Sequence, residues 1–195
     1  MSDPVEVLDF WLGEVGPDGW YAGGEALDGE CRDRFGDLVA AARDGALDHW
    51  AEGAAGTLAY LVLTDQLPRN IHRGTALAFA ADPRARAAAR RALDQGWDMQ
   101  APEPERQFFY LPFEHSEDPG DQALSLRLFA ERMPENPDAL LHARAHDWVI
   151  RRFGRFPYRN AALDRDTTAQ EQAFLDEGGY GAALRAVSDS HAPGA

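Results

Sequence analysis

The chain has 195 residues, of which 45% are hydrophobic, and its 33 acidic against 19 basic residues give a formal net charge of −14. This length suits one domain, and so acidic a surface disfavours nucleic acids and anionic membranes as partners. Every basic residue is an arginine, which excludes Schiff-base and P-loop chemistry that depends on lysine.

Helix signals dominate the chain from its start. In chain order, the apolar periodicity predicts helices over residues 4–12, 28–43, 58–67, 82–96, 122–133 and 137–153. Asp3 and Pro4 begin the first helix, Gly13 is predicted to end it, and a glycine-rich loop is predicted to follow over 13–24. Pro68 is predicted to end the helix over 58–67.

Later signals complete an all-helical pattern. Thr168 and Glu171 form a capping box, which predicts a further helix start. No segment alternates as a strand would, so we expect almost no strand. Helix pairs joined by short turns favour a bundle or an α–α superhelix. We predict a single domain over residues 1–187 and a loose tail over 188–195.

Features of export and membrane insertion are missing from the sequence. The longest apolar run, residues 58–63, is far shorter than a membrane span. The acidic start of the chain lacks the layout of a signal peptide. Cys31 is the only cysteine, which suits a reducing compartment and excludes a disulfide within the chain. We therefore expect a cytoplasmic protein with a structural Cys31.

The first polar segment, residues 65–73, emerges from the most apolar predicted helix. Buried charges must be paired or hydrogen-bonded. One interpretation is that Asp65 neutralises Arg69 or Arg73 and only fixes the turn. The other is that one of these arginines holds an anionic ligand.

The second polar segment, residues 110–117, places Glu114 and Glu117 on either side of His115 in an aromatic setting. Such surroundings raise the pKa of a glutamate, and a nearby carboxylate raises that of a histidine. General acid–base catalysis needs this combination. The structural alternative is that Glu117 caps a helix and His115 only packs.

The third polar segment combines two histidines with a dense arginine cluster. His142 and His146 lie four residues apart and so share a helix face. Together with a carboxylate such as Glu114 or Glu117, they would supply the ligands of a metal site. No glutamate follows the first histidine as in zinc proteases, so we predict no metal here and keep a metal-assisted enzyme, with His146 and Glu114 or Glu117, as an alternative. We predict no cofactor. Arg155 and its neighbours after the helix indicate anion binding or a solvated basic face.

Four ordered motifs resemble the family catalogued as domain of unknown function 924. They read VLDFWLG from residue 7, LTDQLPRNIHRG from 63, YLPFEHSE from 110 and FGRFPYRN from 153. The resemblance implies a helical fold similar to tetratricopeptide-repeat superhelices, with antiparallel helix pairs and motif residues facing one concave region. It implies no established reaction. The family often has histidine where this chain has Tyr158, so a proton-transfer role there is not carried over.

The polar segments support three hypotheses about function. The first is a binding protein for an anionic small molecule or an acidic peptide group, and the second is an enzyme on an anionic substrate with His115 or His146 as general base. The third is a structural role for the same networks. The candidate catalytic residues are Glu114, His115 and His146, and the candidate ligand-binding residues are Asp65, Gln66, Arg69, Asn70, Arg73, Glu117, Arg155, Arg159 and Asn160.

Overall fold

The structure is a computed structural model that describes residues 3–189, and these residues contain no strand. This confirms the predicted all-α class. The α-helices are α1 Pro4–Leu8, α2 Gly16–Gly19, α3 Glu25–Arg43, α4 Ala54–Leu61, α5 Leu67–Ile71, α6 Asp82–Gln95, α7 Leu111–Glu114, α8 Pro119–Arg132, α9 Pro137–Phe153, α10 Ala169–Asp176 and α11 Tyr180–Asp189. Between them lie π-helical turns at Asp9–Val15 and Val62–Gln66, and 3-10 turns at Asp48–Glu52, Ala76–Phe79, Asp98–Gln100, Glu105–Phe109, Pro157–Arg159 and Ala161–Leu163.

The chain divides into two compact units, residues 1–112 and 113–195. The single domain over 1–187 and the tetratricopeptide-like superhelix of antiparallel helix pairs stay predictions. Within the described part of the chain, no helix combines the length and the hydrophobicity needed to cross a bilayer.

The core of the first unit forms around α4, whose apolar sequence lets it bury most of its surface. α1 and α6 both pack against α4, and α3 packs against α5. On α3, Cys31 and Phe35 are fully buried one helical turn apart, as an amphipathic stripe requires. The ring of Phe35 lies 4.9 Å from that of Phe10, so the first turns of the chain share this core.

The prediction that Pro68 ends its helix is wrong. Helical conformation runs from α4 through the π turn at Val62–Gln66 and into α5, which contains Pro68 in its first turn. The amide of Leu67 donates to the carbonyl of Val62, five residues earlier. A widened turn of this kind lets a proline follow without the clash and lost hydrogen bond that it causes in a regular helix.

The predicted end of the first helix at Gly13 is wrong as well. Helical conformation continues through the π turn at Asp9–Val15, and α2 follows after a break at Gly16, whose φ is 63°, so the predicted loop over 13–24 is largely helical in its first half. Phe10 and Trp11 in this turn are both buried. Their packing outweighs the low helix preference of Gly13.

The second unit is built on α9, which packs against α8 and α11. Its predicted ends are confirmed: Asn136 accepts a hydrogen bond from the amide of Ala139, and Gly154 adopts the left-handed conformation. The Thr168 and Glu171 capping box is also confirmed at α10. One buried hydrophobic cluster of this unit contains Ala145, Val149, Ile150, Phe156, Phe174, Ala183 and Val187.

The last helix, α11, has no counterpart among the predicted helices. Two glycines precede it and small residues fill it, so its sequence carries weak helix signals, but it buries Ala183 and Val187 against the core. The predicted loose tail began at Ser188. Residues 188 and 189 belong to α11, and residues 190–195 lie outside the described part of the chain.

Cys31 is expected to resist thiol reagents in the folded protein. Burial, reinforced by the nearby carboxylate of Asp28, raises the pKa of its thiol to about 11, so little reactive thiolate forms near neutral pH. Labelling with a chromogenic disulfide reagent should be slow in buffer and complete in denaturant. Rapid stoichiometric labelling of the native protein would show that α3 is not packed as described.

Candidate functional site

In the first unit, residues of the predicted polar segment form an ion-pair network. The carboxylate of Asp65 is 1% exposed and lies 3.2 Å from a guanidinium nitrogen of Arg69. A second nitrogen of Arg69 lies 3.1 Å from the carboxylate of Asp82, and the side-chain amide of Gln66 donates a hydrogen bond to the carboxylate of Asp65. Two acids therefore flank one arginine, as the burial of Asp65 requires.

A second pairing in this unit joins α5 to α3 through Asp28. Arg73 donates two hydrogen bonds of 2.8 Å to this carboxylate, and Asn70 donates one of 2.9 Å. The Arg73 guanidinium is the main reason why the pKa of Asp28 lies below its usual range, and Asn70 adds to the effect. These hydrogen bonds of Arg73 and Asn70 thus connect α5 to α3 and contribute to the fold.

In the second unit, Glu114 at the end of α7 meets His146 in the middle of α9. An oxygen of Glu114 lies 2.9 Å from Nδ1 of His146, and the two side chains are 3% and 13% exposed. The same nitrogen lies 3.0 Å from the carbonyl of His142. Both neighbours are acceptors, so Nδ1 carries a proton and Nε2 of a neutral His146 keeps its lone pair.

His115 completes this group. Its ring centre lies 5.9 Å from that of His146, and one ligand-type atom from each of Glu114, His115 and His146 lies within 4.8 Å of the others. The second carboxylate oxygen of Glu114 is buried without a hydrogen-bond partner among residues 3–189. The three side chains could therefore hold a cation, or exchange protons with a bound molecule.

Aromatic rings and one arginine surround the histidines. The ring of His146 lies 4.9 Å from Tyr180 and 5.5 Å from Phe156. On Phe156, the guanidinium of Arg159 lies 4.4 Å from the ring centre, and Tyr158 stacks at 5.4 Å. Arg159 is buried and donates to the carbonyl of His115 at 3.0 Å. Positive charge thus lies beside the Glu–His group.

Glu117 is the partner of Arg165 and of the backbone before Pro157. Two nitrogens of Arg165 lie 2.8 and 2.9 Å from its oxygens, and the amide of Phe156 donates to it at 2.9 Å. Burial alone would raise the pKa of Glu117, but these donors outweigh it and hold that pKa below its usual range. The idea that Glu117 caps α8 is wrong, because Asp118 accepts those amides instead.

Arg155 and Asn160, both predicted to bind a ligand, converge on Glu171. Arg155 donates to it through two nitrogens at 2.6 and 2.8 Å, and Asn160 approaches it at 3.4 Å. Arg155 is the main reason why the pKa of Glu171 falls to about 2, and the amide of Thr168 assists against the opposing effect of burial. This cluster fixes the start of α10.

The second unit therefore brings Glu114, His115, His146 and Arg159 together, while Arg155 and Asn160 serve Glu171. The expectation that the segment over 65–73 lines the same cavity stays a prediction. Sequence reasoning missed Tyr180, whose hydroxyl lies 2.6 Å from Nδ1 of His142, 38 positions earlier. Only the inward face of α9 hinted that some aromatic residue would cover its histidines.

Comparison with known proteins identifies the family of the chain. The family model described as "Bacterial protein of unknown function (DUF924)" matches residues 7–179. The chain belongs to this family. A solved structure of a protein of unknown function from Agrobacterium tumefaciens is 43% identical, with a TM-score of 0.84 over 90% of this chain and 97% of the other. No curated protein matches the sequence.

Membership of DUF924 supplies a fold and no reaction, since both the family and the Agrobacterium protein are described as being of unknown function. Chemistry must therefore be argued from the side chains of the chain itself. Within the part of the sequence that DUF924 matches lie Glu114, His115, His146 and Arg159, whereas Tyr180 lies just beyond it.

Proposed function

We propose that the protein is an enzyme that binds a small molecule with an anionic group and exchanges a proton with it at Glu114, His115 and His146. The observation that carries the proposal is the 2.9 Å contact between the buried carboxylate of Glu114 and Nδ1 of His146. It orients the imidazole and leaves Nε2 able to accept a proton.

The Glu114 carboxylate gives His146 two properties that a general base needs. It fixes the ring in one orientation and one tautomer, and it stabilises the imidazolium that forms when Nε2 takes up a proton. Because Glu114 is almost completely buried, water screens this interaction weakly. An exposed histidine without a carboxylate would have neither advantage.

Arg159 supports the anionic character of the bound molecule. Its guanidinium lies against Phe156, whose ring also faces His146, so a carboxylate or phosphate near Arg159 would be close to the imidazole. Arginine in a partly dry site favours such groups, including the acidic groups of a peptide. Arg69, Arg73 and Arg155 each lie within hydrogen-bonding distance of a carboxylate of the chain.

The test is a panel of small carboxylates and phosphate monoesters, incubated with the purified full-length chain and followed by mass spectrometry. At least one compound should be converted. His146→Asn should lower the turnover of that compound by about 100-fold, whereas Arg159→Met should chiefly raise KM because it removes binding charge.

His49→Asn is the control, because His49 is an exposed histidine of the first unit. This variant should behave like the wild type. Thermal melts would establish that each variant is folded. If folded His146→Asn retains full turnover, or if no compound of the panel is converted, the proposed function is wrong.

A further inference from the structure

We propose that Glu114, His115 and His146 form a binding site for a divalent transition-metal ion, of the Zn²⁺ or Fe²⁺ type. One potential ligand atom from each residue lies within 4.8 Å of the other two. Atoms bound to one ion at about 2.0–2.2 Å lie at most about 4.4 Å apart. Small rotations of partly exposed His115 and His146 would therefore bring the group to bonding distance.

The unsatisfied oxygen of Glu114 is the second observation that points to a cation. This side chain is 3% exposed, and one of its carboxylate oxygens has no hydrogen-bond partner within the described part of the chain. A buried carboxylate oxygen without a partner is costly. A bound cation would supply the missing interaction and offset the buried negative charge.

The kinds of ligand atom select the class of metal. Two imidazole nitrogens and one carboxylate oxygen suit Zn²⁺ and Fe²⁺, whereas Ca²⁺ and Mg²⁺ prefer sites made of oxygens alone. Three protein ligands leave at least one position for water or a substrate group. That is the pattern of catalytic metal sites rather than of closed structural ones.

Contacts around the three side chains hold them in place. The side-chain amide of Gln122 donates hydrogen bonds of 2.7 and 2.6 Å to the backbone carbonyls of Glu114 and Ser116. These bonds fix the turn that carries Glu114 and His115. On α9, Nδ1 of His146 faces the carbonyl of His142 at 3.0 Å. Histidines that bind metals through one nitrogen commonly donate the other to such an oxygen.

The metal site rests on the proposed function, because both use the same three side chains. The two differ in the atom that takes part in proton transfer. With an ion bound, His146 would be one of its ligands, and the ion would supply activation of water in place of the imidazole. The positive charge of Arg159 would then attract the anionic end of a substrate.

The experiment is calorimetric titration of the full-length, tag-free chain, stripped with a chelator, with Zn²⁺ and, without oxygen, with Fe²⁺. The wild type should bind one ion per chain. Both Glu114→Gln and His115→Asn should weaken binding at least tenfold. His142→Asn is the matched control, since it removes a histidine of the same helix face that lies outside the ligand group, and it should bind like the wild type.

Absence of binding to the wild type, or wild-type affinity in both His115→Asn and Glu114→Gln, would overturn the metal site. Circular dichroism of the metal-free variants would show that they fold, and the partly exposed His115 provides a variant at little structural risk. The comparison of the two titrations identifies the preferred ion. Metal binding without turnover would refute the proposed function alone, whereas turnover in a protein that binds neither ion would refute the metal site alone.

Discussion

Asp65→Ala is expected to lower the free energy of unfolding by about 3–5 kcal/mol, because it removes one partner of a buried ion pair. Asp65 is 1% exposed. Its carboxylate forms an ion pair with the guanidinium of Arg69 and accepts a hydrogen bond from the side-chain amide of Gln66. Without it, the partly buried Arg69 keeps its contact of 3.1 Å with Asp82. Urea denaturation would measure the loss as a lower midpoint.

Asp28→Ala provides the comparison for this effect. Asp28 also accepts from an arginine of α5, but that arginine, Arg73, is 57% exposed, so the expected loss is about 1 kcal/mol. The double variant Asp65→Ala with Arg69→Met should recover part of the stability, because it removes the charge left without its buried partner.

The outcome decides between the two interpretations of the polar segment over 65–73. A loss of several kcal/mol identifies Asp65 and Arg69 as a structural pair of the first unit. A loss below about 1 kcal/mol would mean that the pair contributes little to the fold. Arg69 would then be the better candidate for holding an anion, as the binding hypothesis proposed.

Helix ends with local caps could be predicted from the sequence, whereas ends determined by packing could not. Asn136 and Gly154 bound α9 as predicted, because a cap depends on only a few neighbouring residues. The helical conformation continues through Pro68 because a π turn precedes it. An apolar pattern with a period of 3.6 residues does not reveal such a turn. The burial of α4 and α5 in the first unit is what stabilises it.

The candidate site shows the same division. Glu114, His115 and His146 were identifiable, since carboxylates and imidazoles near aromatic residues suit acid–base chemistry. The carboxylate partners of the arginines could not be identified, because they lie far away in the sequence. Glu171 lies 16 residues from Arg155, and Glu117 lies 48 residues from Arg165. In a chain with 33 acidic and 19 basic residues, carboxylate partners are plentiful, so arginine density alone does not predict an anion site.

Glu171→Gln is expected to lower the free energy of unfolding near pH 7 by about 2 kcal/mol and to flatten the acid side of the stability curve. Arg155 chiefly, with the amide of Thr168, lowers the pKa of Glu171 from 4.5 to about 2 in the folded protein. The full difference in pKa would give more, but Arg155 is partly exposed and solvent screens the pair.

The direction of the pH dependence follows from which state binds the proton more tightly. Between about pH 2 and 4.5, the unfolded chain protonates Glu171 more readily than the folded protein does, so stability rises with pH. The contribution is complete above the unfolded pKa and is lost as the pH falls through the folded one. Urea midpoints measured from pH 7 down to the acid transition would show this in the wild type and a weaker slope in Glu171→Gln.

Glu177→Gln is the matched control, because it makes the same chemical change at the other end of α10, where the residue is exposed. It should leave the slope unchanged and alter stability little, since a negative charge at the C-terminal end of a helix is slightly unfavourable. Parallel acid profiles for the wild type and Glu171→Gln would mean that Arg155 does not hold Glu171 in solution. Arg155 would then return to the set of arginines open to an anionic ligand.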